Sequence, residues 1–459
     1  MTLVLALACT ADLGPEAATT DADLPLHDVW GIAPAEDHDP DPGVVEVHLE
    51  AGKTEVQWVE EGPTEVWAYN GQVPGPLIHA RVGDTLRVIF DNDLPNDETT
   101  IHWHGLRIPD DQDGVPMIVD PVEPGDSFTY EFTLPDPGTY WYHPHVAANE
   151  QVERGLQGVI VVDEPEPPAV DKDRYFVVDD VLLSDDGRVS GQFANPDGMT
   201  VMMGRYGNTL LTNGSTELLT DTMRPGSVER WRFLNSANAR PVKLDVKGAD
   251  WRVVGTDGGL LESPYSTGKQ EIHPGQRFDL EVRAPGAGEA VELQVVIDGT
   301  AYPVFTATVE GEAVDTVDVV WPAALVPEIV QAEQAIEVEL GADTSGSELK
   351  WTVNGEVFEE GTMIDVVGDV PSTLHFTETS GLDHPFHLHG QFFQVVDREG
   401  KPADEPGLRD TVVVRGQGEV TVFTGFENAG RWMAHCHILE HAEAGMMAEY
   451  RVSEGDDGM

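Results

Sequence analysis

Ten of the chain's 16 histidines fall into four tight groups: His102 and His104; His143 and His145; His384, His387 and His389; His435, His437 and His441. Random placement would not concentrate them so. Each group holds a His-X-His pair. In an extended strand, residues two apart point to one face. Both imidazoles of His102-Trp103-His104 therefore share a side, and Trp103 packs on the other. Tyr142-His143-Pro144-His145, His387-Leu388-His389 and His435-Cys436-His437 repeat the arrangement. A chain that carries its histidines this way is built from strands.

The rest of the sequence agrees. From Val44 it runs as short apolar-alternating segments such as Val45-Glu46-Val47-His48-Leu49 and Thr85-Leu86-Arg87-Val88-Ile89-Phe90, the pattern of half-buried strands. The 47 glycines and 32 prolines punctuate these segments at short intervals, which suits turn-rich β domains. At about 150 residues per domain, 459 residues suggest three. A first block, 44–165, ends at the Pro-rich linker Glu164-Pro165-Glu166-Pro167-Pro168. A second block, 170–315, holds one histidine, His273, and no cysteine, and is expected to be a spacer without redox metal. A third block, 320–455, follows an irregular connection near Trp321-Pro322 and Pro327. The His-rich turns near the ends of blocks one and three suggest duplicated β-sandwich units.

Charge excludes several functions. Lys plus Arg is 26 and Asp plus Glu is 83, a net charge of −57, and only seven of the basic residues are Lys. Nucleic-acid binding rests on neutralising phosphates with cations, so no nucleic-acid partner is expected. Anionic lipid surfaces should repel the chain. The acidity reads as a heavily solvated surface suited to a saline medium rather than as a specific function.

There are two cysteines, Cys9 and Cys436, too few for a disulfide-stapled domain. Met1–Cys9 is apolar but too short to span a bilayer, which takes about 20 residues. It resembles the end of a bacterial lipoprotein signal peptide, although no basic region precedes it. On that reading the protein is exported to the periplasm or cell envelope, with Cys9 as a lipid anchor, or is extracellular. The alternative is an N-terminus of no consequence. The stretch to residue 43 is rich in Ala, Asp and Pro and reads as a flexible tether. Beyond it no segment has the length and apolarity of a membrane helix.

Imidazole alone suits copper, zinc, iron and nickel alike. Cysteine resolves the choice. In an extended His435-Cys436-His437, Cys436 points opposite its neighbours, so one segment addresses two sites. Cys436 with His384, His441 and a distant Met446 makes a His₂Cys set with a thioether axial ligand, which is diagnostic of blue copper. Zinc would want a fourth strong ligand and has no use for the other eight histidines.

The ordered motifs HWHG (102–105), HPH (143–145), HPFHLHG (384–390) and HCHILEHAEAGM (435–446) resemble those of the three-domain multicopper oxidases, the bacterial laccase-like branch in particular. The resemblance covers nearly all of 44–452. It implies an all-β fold of three cupredoxin-like Greek-key β-sandwich domains and four copper ions. Cys436, His384, His441 and Met446 match the type 1 copper. His102 and His387 match type 2. His104, His143, His145, His389, His435 and His437 match the type 3 pair. The trinuclear site would lie between the first and third domains. Asp113 stands where the family places a proton-relaying acid; otherwise it is a turn aspartate before Gly114.

The implied reaction takes single electrons from a donor, a phenol or aromatic amine, docked at an exposed edge of His384. Four electrons pass through Cys436 to His435 and His437, and O₂ is reduced to water. The alternative donors are cuprous, ferrous or manganous ions, and a non-catalytic copper-binding envelope protein is a third reading. A monomer is expected. Two departures stand out. Several bacterial relatives carry Glu directly after the last histidine of the fourth motif, where this chain has Ala442 followed by Glu443. The copper-efflux oxidases place Asp and Met where Ser380 and Leu382 stand, and only Met199, Met202 and Met203 form a small methionine group.

Overall fold

A computed structural model describes residues 32–454, apart from 61, 195, 316–317, 325 and 359–362. Cys9 and its lipid-anchor reading lie outside the described residues. The chain forms six sheets, which pack as three two-sheet sandwiches along the sequence, and the expected all-β class is borne out.

In the first sandwich, strand Val44–Val59 lies parallel to Thr85–Asn92, which pairs antiparallel with Ser127–Thr133. The register aligns Val47, Val88 and Tyr130 in one row and Leu49, Phe90 and Phe128 in the next. Period-two alternation turns these rows inward, where they meet Ile78, Ala80, Ile160 and Val162 of the second sheet. Burying such side chains stabilises by about 1.5–3 kcal/mol each. The middle sandwich repeats the scheme around Trp231, Phe233, Leu280 and Phe305, and the third around Phe376, Phe386, Val420 and Val422.

Residues 32–43 are not the loose tether expected there. Ile32 is buried with Leu77 and Trp141, and Ala35 N–H donates to the Leu77 carbonyl. Among the described residues no helix is long and apolar enough to cross a membrane.

Strand pairing brings the histidines together. His102–His104 runs antiparallel to Gly138–His143, setting His102 opposite His143 and Trp103 opposite Tyr142. In the third sandwich His384–Leu388 pairs with Gly430–Cys436, setting His387 opposite His435 and Phe386 opposite Cys436. Trp103 turns into the first core against Tyr130 and Phe132, as period-two geometry requires.

Candidate metal centre

Two of these strand pairs face each other across the junction of the first and third sandwiches. The His104 ring stacks on His387 at 3.7 Å between centroids, and His102 stacks on His389 at 3.9 Å. Eight imidazoles thus share one enclosure. Three overlapping ligand sets result: His104, His143 and His437; His145, His389 and His435; and His102, His104 and His387, each with its donor atoms within 4.8 Å of one another.

Hydrogen bonds settle which nitrogen faces inward. His102 Nδ1–H donates to the Asp113 carbonyl, His143 Nδ1–H to the Pro144 carbonyl, His387 Nδ1–H to the Asp410 carbonyl and His435 Nδ1–H to the Cys436 carbonyl, all at 3.0 Å. His389 Nδ1–H donates to Asp113 Oδ2 at 2.7 Å. The opposite nitrogens are left over. Nε2 of His102, His143, His145 and His387, Nδ1 of His104 and both nitrogens of His437 are buried without a hydrogen-bond partner. Nε2 of His389 and of His435 face each other at 3.1 Å. Buried polar atoms are rarely left unpaired, and a concentration of lone pairs aimed at one another is what cations would satisfy. The residues present therefore fit a copper cluster.

Electrostatics agree. Burial, reinforced by neighbouring imidazoles, holds His104, His143, His145, His389 and His437 well below the usual histidine range. Burial likewise lowers His435 to about 3. The rings are neutral at physiological pH, the form that binds metal.

The second site lies on the other face of the same segment. Cys436 Sγ is 3.6 Å from His384 Nδ1 and 3.7 Å from His441 Nδ1, and these two nitrogens are 3.1 Å apart. Burial pushes the Cys436 thiol up, so thiolate forms when a cation replaces its proton. Met446 is buried, and its backbone ties both neighbours: its carbonyl accepts from Cys436 N–H and its N–H donates to the His441 carbonyl.

One expectation fails. His384 has no exposed edge: it is 0% accessible. Its Nε2 lies 3.3 Å from Ser380 Oγ and 3.4 Å from Glu378 Oε1. The Glu378 carboxylate, lowered to about 2, is fixed against burial by hydrogen bonds from His384, Ser380 and the Gln417 and Gly381 backbone. His441 is covered as well, donating Nε2–H to the Met202 carbonyl at 3.1 Å. Met202 belongs to the short helix Gly198–Met203 of the middle sandwich, which exposes Met199 and Met202.

Asp113 caps the short helix Asp110–Gln112 and is fully buried between His102 and His389. Three contributors had no sequence signal. Asp410 stands in an ordinary strand approach, Arg277 reads as a strand cation, and Glu378 is one acid among 83. Only their neighbours reveal them. No gathered ligand set among the described residues includes a middle-sandwich residue, yet that sandwich supplies Arg277, Gly275 and Met202 to the walls.

This geometry defines a class: electron-transfer oxidases in which one short segment joins a thiolate site to a multi-histidine centre. Three multicopper oxidase family models match the chain, at 50–167, 176–290 and 332–456. The multicopper oxidase MmcO of Mycobacterium tuberculosis is 30% identical over 418 residues, covering 82% of this chain and 81% of its own. A laccase of Cryphonectria parasitica is 27% identical over 486 residues, covering 83% and 77%. Among solved structures, a multicopper oxidase from Campylobacter jejuni described as a metallo-oxidase superposes with a TM-score of 0.83 at 26% identity, covering 94% of this chain and 96% of its own. One from Pseudomonas thermotolerans gives 0.79 at 29%, covering 89% and 99%. The chain belongs to the multicopper oxidases. It is a copper-dependent oxidoreductase that oxidises a reducing substrate with O₂ as acceptor, and the resemblance carried by its four motifs is borne out.

Proposed function

We propose a laccase-like oxidase with the following division of labour. Cys436, His384, His441 and Met446 hold type 1 copper. His102 and His387 hold type 2 copper, and His104, His143, His437, His145, His389 and His435 hold the type 3 pair. The observation that carries this assignment is the set of inward-facing, unpartnered imidazole nitrogens, divided among triads that share one enclosure. Blocks 44–165, 170–315 and 320–455 would be the three domains. The copper ions would supply electron storage and O₂ reduction.

The chain's own residues bind, shield and deliver. Because His384 is covered, the donor passes its electron across the Glu378–Ser380 turn or the Gly198–Met203 helix. A cavity of about 460 Å³ beside that helix is lined by Val201, Glu348, Leu349, Glu440 and Glu443. Its size suits a small aromatic ligand, and its carboxylates and Lys350 offer hydrogen-bond partners for a hydroxyl or amino group, which supports phenols and aromatic amines as the donors. Asp113, bonded to His389, is placed to relay protons. A neighbouring cavity of about 250 Å³, which shares Glu443 and is lined also by His145, Met117 and Ala442, would give O₂ and water a path where a larger residue than Ala442 would intrude. Export to the cell envelope completes this reading.

A second reading has its own support. Met199 and Met202, exposed on the helix whose Met202 carbonyl covers His441, are thioether groups that a soft metal-ion donor could use. Steady-state oxygen uptake by the copper-loaded protein with phenols, Cu(I), Fe(II) and Mn(II) separates the two. Saturation only by metal ions overturns the aromatic-donor reading. Four coppers per chain are expected. Cys436→Ser should abolish the type 1 absorption and turnover while the chain stays folded; retained oxidase activity would refute the assignment.

A further inference from the structure

We propose that Arg277, a residue of the middle sandwich, is a positioning residue for the trinuclear centre: through Asp410 it decides which nitrogen His104 turns toward the metals. The proposal rests on the copper assignment above.

Arg277 is completely buried, and its five N–H donors meet five acceptors. Nε donates to the Thr139 carbonyl of the first sandwich at 2.9 Å. Nη1 donates to the Gly275 carbonyl at 3.0 Å and to Asp410 Oδ1 at 2.9 Å. Nη2 donates to the Asp257 carbonyl at 2.9 Å and to Asp410 Oδ2 at 2.5 Å. One guanidinium thus binds all three sandwiches and grips the Asp410 carboxylate with both arms. Such a fork fixes orientation as well as charge.

Asp410 in turn faces the metal centre. Its Oδ1 accepts from Thr411 Oγ1 at 2.8 Å and lies 3.2 Å from His104 Nε2. The same oxygen is 3.4 Å from His387 Nδ1, whose N–H goes to the Asp410 carbonyl. An ionised carboxylate only accepts hydrogen bonds, so His104 carries its proton on Nε2. Its Nδ1, buried and unpartnered, is then the nitrogen that joins His143 and His437. In His102, His143, His387, His389 and His435 the roles are reversed, with Nδ1 bonded outward. His104 differs in being held through Nε2, by a carboxylate brought from another sandwich and gripped there by Arg277.

The fit is close. A Cβ at Gly105, the residue after His104, would fall 2.4 Å from Arg277 Nη2 and 2.6 Å from Asp410 Oδ2. The ion pair therefore packs on the backbone of the HWHG motif itself. The outer partners of metal-binding histidines commonly govern affinity or activity by 10–100-fold.

The test uses the full-length, copper-loaded chain and Arg277→Gln, Arg277→Lys and Asp410→Asn. Type 1 absorption serves as an internal control, since neither residue touches Cys436, His384 or His441. In Arg277→Gln the type 1 band should be retained and the donor KM held within about twofold. The absorption of the type 3 pair, which His104 serves, should weaken, the type 2 EPR signal should change because Asp410 also holds His387, copper per chain should fall, and kcat should drop about 10–100-fold. Arg277→Lys should recover part of the signal, as it restores the charge without the fork. Asp410→Asn should behave like Arg277→Gln and stands in for it if that variant does not fold. Parental type 2 and type 3 signals with a parental copper count in a folded Arg277→Gln would overturn the proposal, as would type 1 falling in step with them. A parent chain with no type 2 signal would overturn the copper assignment and this proposal with it. Separately, ¹⁵N spectra of the copper-free chain should show His104 protonated on Nε2; protonation on Nδ1 refutes the inference whatever the variants do.

Discussion

Gly275 offers a direct measure of how closely the middle sandwich is fitted to the metal centre. It sits in the loop His273-Pro274-Gly275-Gln276 with φ +83°, anchored by its N–H on the Asn235 carbonyl. An added Cβ would lie 2.8 Å from Cδ2 and 2.9 Å from Cγ of His437, and 3.2 Å from Cε1 of His104. Carbon atoms rest at about 3.5–4.0 Å, so the His437 ring must retreat by about 0.7 Å or the loop must move as far. The positive φ costs about 1–2 kcal/mol for a non-glycine residue, and forcing a methyl into a packed site costs about 1–3 kcal/mol more. Gly275→Ala should therefore lose about 2–5 kcal/mol of stability. Gly299 supplies a matched control: its φ is +82° and a Cβ there meets nothing within 4 Å. Gly299→Ala should show only the conformational cost. Misplacing a reacting group by about 1 Å can cost about 10²-fold in rate, so Gly275→Ala should lower O₂ consumption by one to two orders of magnitude with type 1 absorption intact. Thermal unfolding and oxygen uptake on the two variants decide the matter. Equal stability losses with parental turnover in both would refute a tight fit between this loop and the two histidines.

Asp113→Asn should lower turnover about 10²-fold while anaerobic bleaching of the type 1 band by donor keeps its parental rate; a slowed bleaching would place the defect at the wrong site. Asp179 tests pH dependence. Burial, then the charge of Asp180, raises it to about 8, so the folded state holds its proton more tightly than the unfolded chain does. Its contribution favours the fold at low pH and is lost as pH rises from about 4 to about 8, at up to about 1.4 kcal/mol per unit. Asp179→Asn removes that loss, and its new N–H₂ can meet Gln157 Oε1, which has no partner, once the Gln157 amide turns over. With the part-exposed side chain screened by water, a gain of about 2–3 kcal/mol at pH 7.5 and almost none at pH 4 is expected; a gain independent of pH would contradict the linkage. Thermal stability should rise with added salt through the physiological range, because a net charge of −57 repels itself across a Debye length of about 30 Å at about 0.01 M salt but only about 8 Å at about 0.15 M; a fall would show that self-repulsion is unimportant.

Much of the copper chemistry was legible because strand geometry has period two. His102 and His104, or His435 and His437, must share a face once the segment is extended, and Cys436 must oppose them. Which histidines form a triad was not legible. His104 joins His143 and His437, whereas His145 joins His389 and His435, and that division depends on how two sandwiches meet. The covering of His384 was missed for the same reason. Glu378 lies six residues upstream, but its carboxylate reaches Nε2 through the Ser380–Gly381 turn, while Met202 arrives from another sandwich. Arg277 and Asp410 carry no local signal, since an arginine at the start of a strand and an aspartate before one are ordinary. Ile32 falls in a stretch rich in Ala, Asp and Pro that shows no periodicity, although its own side chain fills a gap beside Leu77.

The same logic connects composition to the site. A chain with 26 cations against 83 acids could scatter the cations over its surface to relieve repulsion. Several of its arginines are instead buried where sandwiches meet. Arg230 bonds both Glu164 and Asp279, Arg232 bonds Asp173 and Thr139, and Arg277 bonds Thr139 and Asp410. Such pairs are weak evidence for stability, because desolvation offsets much of the attraction, but breaking one partner is costly and their forked geometry admits few alternatives. Salt screens them far less than it screens the surface. The relative placement of the first and third sandwiches, which together form the eight-histidine enclosure, therefore depends on contacts that the ionic medium hardly alters, while the acidic exterior responds to it freely. That separation lets the surface adapt to its solvent without moving His104 or His387, and it gives the middle sandwich, which holds none of the gathered ligands, a defined part in the chemistry.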